Sequence, residues 1–258
     1  MTELCRDAIA PLLDNGFSQL RRREPHCGLL LAKGLPSFPE GEKAGEIKAA
    51  HIQAVADLAV SDFYRQAFAR WQKTTDDPQR FAAFSVALAG RLYIGVVRDN
   101  ALETGVTVAH TYGMPMIPGS AVKGLCRASA GKWLENREAR RWLFGNDPKD
   151  EDEAAEVGGV IFHDAWWVPE PGRKPFVAEV VTVHHPGYYG SAGSEPATDF
   201  DSPVPAPQIA VRGSFHFVLE GPPMWTQLAR RLLTEGLRQH GIGGKRSSGY
   251  GQFVGDAS

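Results

Sequence analysis

The chain has 258 residues, with 28 Lys and Arg against 30 Asp and Glu, a formal net charge of −2 and 43% hydrophobic residues. That length holds one or two domains with a full core and needs no disulfide or metal staple, and the composition excludes wholesale disorder. The balanced charge excludes a uniformly basic nucleic-acid coat, so any RNA or DNA site is a local patch.

Glu3, Arg6 and Asp7 leave no apolar stretch for a signal peptide at the start. The longest apolar run, Phe81 to Gly90, is about half of the ~20 residues a membrane helix requires. Cys5, Cys27 and Cys126 are widely spaced, odd in number and without a CxxC pair, which fits a reduced setting. The expectation is a soluble cytoplasmic protein with no membrane partner.

The first 45 residues are mixed, with a basic run at Arg21–Arg23 and a Pro/Gly-rich stretch from Gly34 to Gly45. Ile52, Val55, Ala56, Ala59, Phe63, Ala67 and Trp71 then recur at spacings of three and four, which predicts one helix over 46–71. Asp76-Asp77-Pro78 closes it. Phe84 to Val97 reads as a buried strand broken at Gly90, and Arg98 to His110 as irregular.

Ser120 reads as the N-cap of a helix running through Val122, Leu125, Cys126, Ala130 and Trp133. Asp147 to Glu156 is an acidic loop. Strands follow over Val160–Val168 and Phe176–Val183, and then a polar excursion as far as Pro207. Ile209 to Leu219 alternates as a strand, Trp225 to Leu237 repeats at helical spacing, and Phe253-Val254 ends in a short strand. From Phe84 the order is strand, helix, strand, strand, helix, strand. This is the βαββαβ succession of an α+β, ferredoxin-like (RRM-like) unit. The division is an N-terminal extension, 1–80, and a second domain, 81–258, with an insertion at 184–208.

Two constellations carry chemistry. In Pro118-Gly119-Ser120-Ala-Val-Lys123-Gly124-Leu-Cys-Arg127, a tight turn opens a helix whose first amides suit an anion, with Lys123 and Arg127 one turn apart. An ordinary capped helix with solvated cations explains the same residues. In Gly241-Ile-Gly243-Gly244-Lys245-Arg246-Ser247-Ser248-Gly249-Tyr250-Gly251, the glycines allow close backbone approach and an amide nest. Lys245 and Arg246 add charge, Ser247 and Ser248 donors, and Tyr250 a stacking face. The spacing matches neither a Walker loop nor a dinucleotide fingerprint. A flexible connector would need the glycines but not the cations.

Together with Phe144-Gly145 and a strand ending in Asp164-Ala165, these stretches resemble the RAMP superfamily, the repeat-associated RNA-binding proteins of CRISPR systems. His110-Thr-Tyr-Gly113, Val183-His184-His185-Pro186, Tyr188-Tyr189 and the Asp/Pro-rich segment Asp199–Pro207 are similar to the sixth-subunit family of Cmr, type III-B, effector complexes. The resemblance implies a non-catalytic subunit that caps a row of RAMP folds near the 3′ end of a guide RNA. Its partners would be guide RNA, complementary target RNA and other Cmr RAMP subunits, and it would need no cofactor or metal. The RNA contacts it implies are Ser120, Lys123, Arg127, Gly243, Gly244, Lys245, Arg246, Ser247 and Tyr250. His184, His185, Tyr188 and Tyr189 would join them from the inserted loop, acting as a thumb. Lys132 would join the other cations in one positive groove.

The sequence also carries other candidates. His163, Asp164, His184, His185 and His216 lack compact metal-ligand spacing. Trp166 and Trp167 are adjacent, so one is expected in the core and the other facing solvent or a partner. Asp199 and Asp201 pair two carboxylates in a polar loop without a nucleophile beside them. The rival function is a metal-independent endoribonuclease processing guide RNA, with His110 as base and Lys123 stabilising charge. A protein scaffold without RNA contact is the third.

Overall fold

The computed structural model describes residues 9–18, 20, 24–95, 102–146, 155–183, 190–191, 194–196, 198 and 203–254. Four helices come first: α1 (Ala10–Phe17), α2 (Cys27–Lys33), α3 (Ala44–Ala56) and α4 (Asp62–Thr74). The single helix expected over 46–71 is therefore two. Ser61, in extended conformation, accepts a hydrogen bond on its side chain from the Tyr64 amide and restarts the helix. Leu58 and Val60 in the break are buried, so the apolar spacing runs on across it and periodicity conceals it.

Then come β1 (Phe81–Ala87), β2 (Met116–Ile117), α5 (Gly119–Trp133), α6 (Arg137–Phe144), β3 (Gly145–Asn146), β4 (Glu156–Val157), β5 (Ile161–Phe162) and β6 (Ala165–Trp167). The chain continues through β7 (Phe176–Val183), β8 (Val204–Val211), β9 (Ser214–Glu220) and α7 (Pro223–Gln239). The central sheet has the order β1-β9-β6-β2, and β5 also pairs with β9. Its pairs are antiparallel, and Leu88 bridges Phe253 on the outer side of β1.

The alternating run Ile209–Leu219 is not one strand. It divides at Arg212-Gly213, where the Arg212 amide donates to the Pro175 carbonyl and Gly213 adopts φ +110°. The first part belongs to β8, which begins at Val204, inside the expected excursion, and pairs with β7 from Val183↔Val204 to Phe176↔Val211. Pro205 and Pro207 within β8 obscure it in the sequence, because proline cannot donate to a ladder. The run Phe84–Val97 also divides. Its first half is β1, while Leu92 bridges Val211 and Tyr93 bridges Gly244.

The sheet is covered on both faces. Phe84 and Phe217 stack on each other, and Arg230 of α7 lies over the Phe84 ring. His216, the neighbour of Phe217, points the opposite way, against Phe68 of α4. On that second face Trp166 lies nearly parallel to Tyr64 and Trp71 of α4, with ring centroids 5.9 Å away in each case. Trp167 is fully buried and its indole N–H donates to Arg212 O at 2.7 Å. Trp166 is half-buried against the chain's own helix α4. α4 therefore occupies, among the described residues, the face on which a sheet would stack bases.

α5 and α7 run side by side in the same direction. Cys126 Sγ contacts Ala229 O at 3.5 Å, and Lys132 Nζ lies 3.2 Å from His240 Nε2 near both C-terminal ends.

Candidate nucleic-acid interface

The loop after α7 is built on the segment Arg91–Tyr93. Gly244 N donates to Tyr93 O at 2.7 Å, Gly251 N to Arg91 O at 2.7 Å, and Ile242 N to Gly251 O at 2.9 Å. Gly243 has φ +90°, and a Cβ there would collide with the Tyr93 carbonyl. Ser248, Gly249 and Tyr250 amides are also bonded within the loop. Its glycines therefore serve tight internal turns, and most of the amides expected to form an anion nest are already used.

What the loop presents outward is side chains. Lys245 (φ +54°) opens a 3-10 turn over Arg246–Ser248, and Lys245, Arg246, Ser247 and Ser248 are all exposed. Beneath them Tyr93 and Tyr250 pack with ring centroids 4.5 Å apart, and Lys245 Nζ stands 5.6 Å from the Tyr93 ring. Burial, and secondarily the neighbouring Tyr250, raise the Tyr93 pKa, so it stays a neutral phenol. The Tyr250 hydroxyl donates to Glu179 Oε2 of β7 at 2.9 Å, and Arg91 pairs with the same carboxylate. Arg91, Glu179, Ser248, Gly249 and Tyr250 line a shallow hollow of about 280 Å³. Tyr93, Arg91 and Glu179 were not candidates from the sequence. Arg91 and Tyr93 look there like ordinary strand residues, and Glu179 lies more than eighty residues from either.

The start of α5 is arranged differently. The Gly119 amide donates to Asp164 Oδ1 at 2.7 Å, while Ala121 and Val122 amides turn to Pro118 O. Asp164, not Ser120, caps this helix; Ser120 lies in its first turn, exposed and without a capping bond. A carboxylate already occupies the anion position that the motif suggests. Gly119 is buried because the turn presses on β5, and a Cβ there would meet the Phe162 carbonyl.

Nor do the two motifs meet in one groove. Gly119 is level with Phe162, which pairs with Leu219 opposite Ala82, whereas the Gly-rich loop returns at Leu88↔Phe253. Six strand residues separate those levels, about 20 Å. Lys123 and Arg127 project from the flank of α5 turned away from α7, while Lys132 reaches His240 on the other flank. Because α5 runs parallel to α7, its start is carried to the end of the sheet opposite the loop.

His184, His185, Tyr188 and Tyr189 lie outside the described residues, as do Asp199 and Asp201. The remaining members of the histidine group take separate partners. His163 Nε2 meets Glu220 Oε2 at 2.8 Å, and Arg80 holds the other oxygen of that carboxylate. Burial raises the Glu220 pKa, but the bonds from Arg80 and His163 outweigh it and hold it lowered. His216 bonds Ser85 Oγ at 3.0 Å, and burial pushes its pKa down to about 4. Among the described residues no three His, Cys, Asp or Glu side chains are grouped to hold a metal ion. Burial pushes the Cys27 and Cys126 thiols up to about 12, so neither supplies a thiolate nucleophile. Among the described residues no helix is long and apolar enough to cross a membrane.

The family model of the RAMP superfamily matches residues 87–254, from the end of β1 through the Gly-rich loop. The chain belongs to the RAMP superfamily. Two curated relatives are similar to this RAMP chain. One is the CRISPR system Cmr subunit Cmr6 of Pyrococcus furiosus, 24% identical over 220 residues, covering 64% of this chain and 65% of that protein. The other is the CRISPR system CMR subunit Cmr6 of Saccharolobus solfataricus, 26% identical over 175 residues, covering 66% of this chain and 56% of that protein. The RAMP chain thus spans somewhat over half to about two-thirds of these relatives' length. It also shares its fold with a chain from the cryo-EM structure of the type III-B Cmr-beta bound to cognate target RNA. That match has a TM-score of 0.64 at 18% identity and covers 95% of this chain and 86% of the other.

Proposed function

We propose that this chain is a non-catalytic, RNA-binding subunit of a type III-B Cmr effector complex. In this reading it holds guide RNA, contacts the guide–target duplex, and caps the row of RAMP subunits near the guide's 3′ end in the cytoplasm. The observation that carries it is the exposed tip Lys245–Ser248, two cations and two hydroxyls on a base fixed by Tyr93, Tyr250, Arg91 and Glu179. A preorganised cationic tip binds a phosphate backbone with little ordering cost. The two Cmr6 relatives support the choice of complex.

The framework is a variant of the ferredoxin-like unit: β1, α5, β5–β6, β9, α7 and the terminal residue Phe253, with α5 entered through β2 and so running in the direction of α7. Its support is the spatial order Phe253, β1, β9, β5–β6. Domain 81–258 carries it, and 1–80 covers its second face. The β7–β8 hairpin carries insertion 184–208 as a thumb whose His184, His185, Tyr188 and Tyr189 meet RNA. Ser120, Lys123 and Arg127 contribute side-chain contacts at the far end of the sheet.

Purified chain is incubated with labelled guide-repeat RNA and single-stranded target, with and without magnesium. Intact RNA shifted on a native gel is expected. Site-specific cleavage that disappears in His110→Ala overturns the proposal in favour of the endoribonuclease, and no retention at all favours the scaffold.

A further inference from the structure

A larger hollow lies behind the loop. A cleft of about 530 Å³ opens where β1 ends, between the Pro171-Gly172 turn and the β8–β9 junction, with Leu88, Gly90, Arg173, Arg212 and Gly213 in its wall. Its two arginines differ. Arg173 Nη1 is neutralised by Glu170 Oε2 at 2.6 Å, and the other Glu170 oxygen accepts from Ser214. Arg212 Nε is anchored on the Lys174 carbonyl at 3.2 Å, and no carboxylate among the described residues stands within ion-pair reach of it. The cleft therefore holds an oriented guanidinium, Arg212, with no ion-pair partner among the described residues, a donor fork that matches a phosphate.

The wall at Gly90-Arg91 is shared with the hollow under the Gly-rich loop: Gly90 lines the large cleft and Arg91 the small one. Ala89 N bonded to Gln252 O and Gly251 N bonded to Arg91 O fix that wall. Gly90 has no positive φ, and no atom lies within 4 Å of where its Cβ would be. The fold therefore does not require glycine there, and a side chain added at that point on the cleft wall meets open space.

We propose that this cleft takes one nucleotide of the RNA strand held by the Gly-rich loop, with its phosphate on Arg212. The volume falls within the range of small-ligand pockets, and the one cleft arginine without an ion-pair partner among the described residues matches the single charge of a phosphodiester. Among the described residues no aromatic ring lines the cleft, so the site would hold the nucleotide without reading its base by ring stacking. The proposal rests on the RNA-binding reading of the loop.

The test uses the full chain and single-stranded RNA carrying 4-thiouridine. Arg212→Ala should lower the log–log salt slope of binding by about one. Gly90→Leu should fill the cleft and remove photo-cross-links to the peptide around residues 85–91, with an unchanged Tm. If both variants bind and cross-link like the unaltered chain while Lys245→Ala/Arg246→Ala loses affinity, the cleft proposal is overturned and the loop reading stands. If the loop variant changes nothing while Arg212→Ala does, the loop reading fails and the cleft remains. A Gly90→Leu chain that keeps its RNA contacts but no longer assembles with other subunits would make the cleft a peptide site and overturn the proposal.

Discussion

The start of α5 and the loop after α7 share a vocabulary of glycine, serine, lysine and arginine, yet the fold uses them in opposite ways. At α5 the glycine is pressed against Phe162, and the free amide that would attract a phosphate is taken by Asp164. At the loop most amides are bonded inward to hold the backbone on Arg91–Tyr93, and the charges are turned outward. A cationic, glycine-bearing motif binds an anion only where no internal carboxylate has reached it first. That condition depends on tertiary contacts and not on local spacing.

The comparison is sharpest at the glycines. Gly119→Val should cost about 3 kcal/mol or more in chemical denaturation, because Cβ meets backbone that cannot yield. Gly249→Ala has open space and only its φ of +85° to strain it, so about 1–2 kcal/mol is expected. Equal costs would break the distinction between a packed and a presented glycine.

The sheet between the two regions carries its own pH dependence. His216 has its pKa pushed down to about 4 from 6.5 by burial, so the unfolded chain binds the proton more readily and stability falls as pH drops from about 6.5 towards 4. Between pH 7 and pH 5 the loss should be about 2 kcal/mol, read as a shift in denaturant midpoint. His216→Phe should flatten that shift, and an unchanged profile in the variant would remove His216 as its source.

Asp164→Ala should cost about 1 kcal/mol, the value of a helix cap, and should leave RNA affinity no lower. Affinity that rises several-fold and returns to its starting value on adding Lys123→Ala would show that the start of α5 is a latent anion site.

Much of this was legible in the residues themselves. The helical repeat of Trp225–Leu237 and the glycine–cation density after His240 point to α7 and the loop. The features that decide between the two motifs were not. Asp164 caps α5 across 45 residues of sequence, and Glu179 reaches Tyr250 across 71; neither pairing leaves a local pattern. The parallel course of α5 and α7, which parts Lys123 from Lys245, likewise follows from side-chain packing such as Cys126 on Ala229. Prolines inside β8 and buried linker residues between α3 and α4 misplace boundaries because sequence periodicity registers burial and not hydrogen bonding.

The central claim is that the loop after α7, more than the start of α5, holds the RNA backbone. The most direct measurement is the salt dependence of RNA binding for two double variants beside the unaltered chain. Lys245→Ala/Arg246→Ala should weaken binding of all sequences alike and reduce the log–log slope by about one to two, with Lys123→Ala/Arg127→Ala changing it by less than one. The reverse order, or an unchanged slope in the loop variant, would contradict the account.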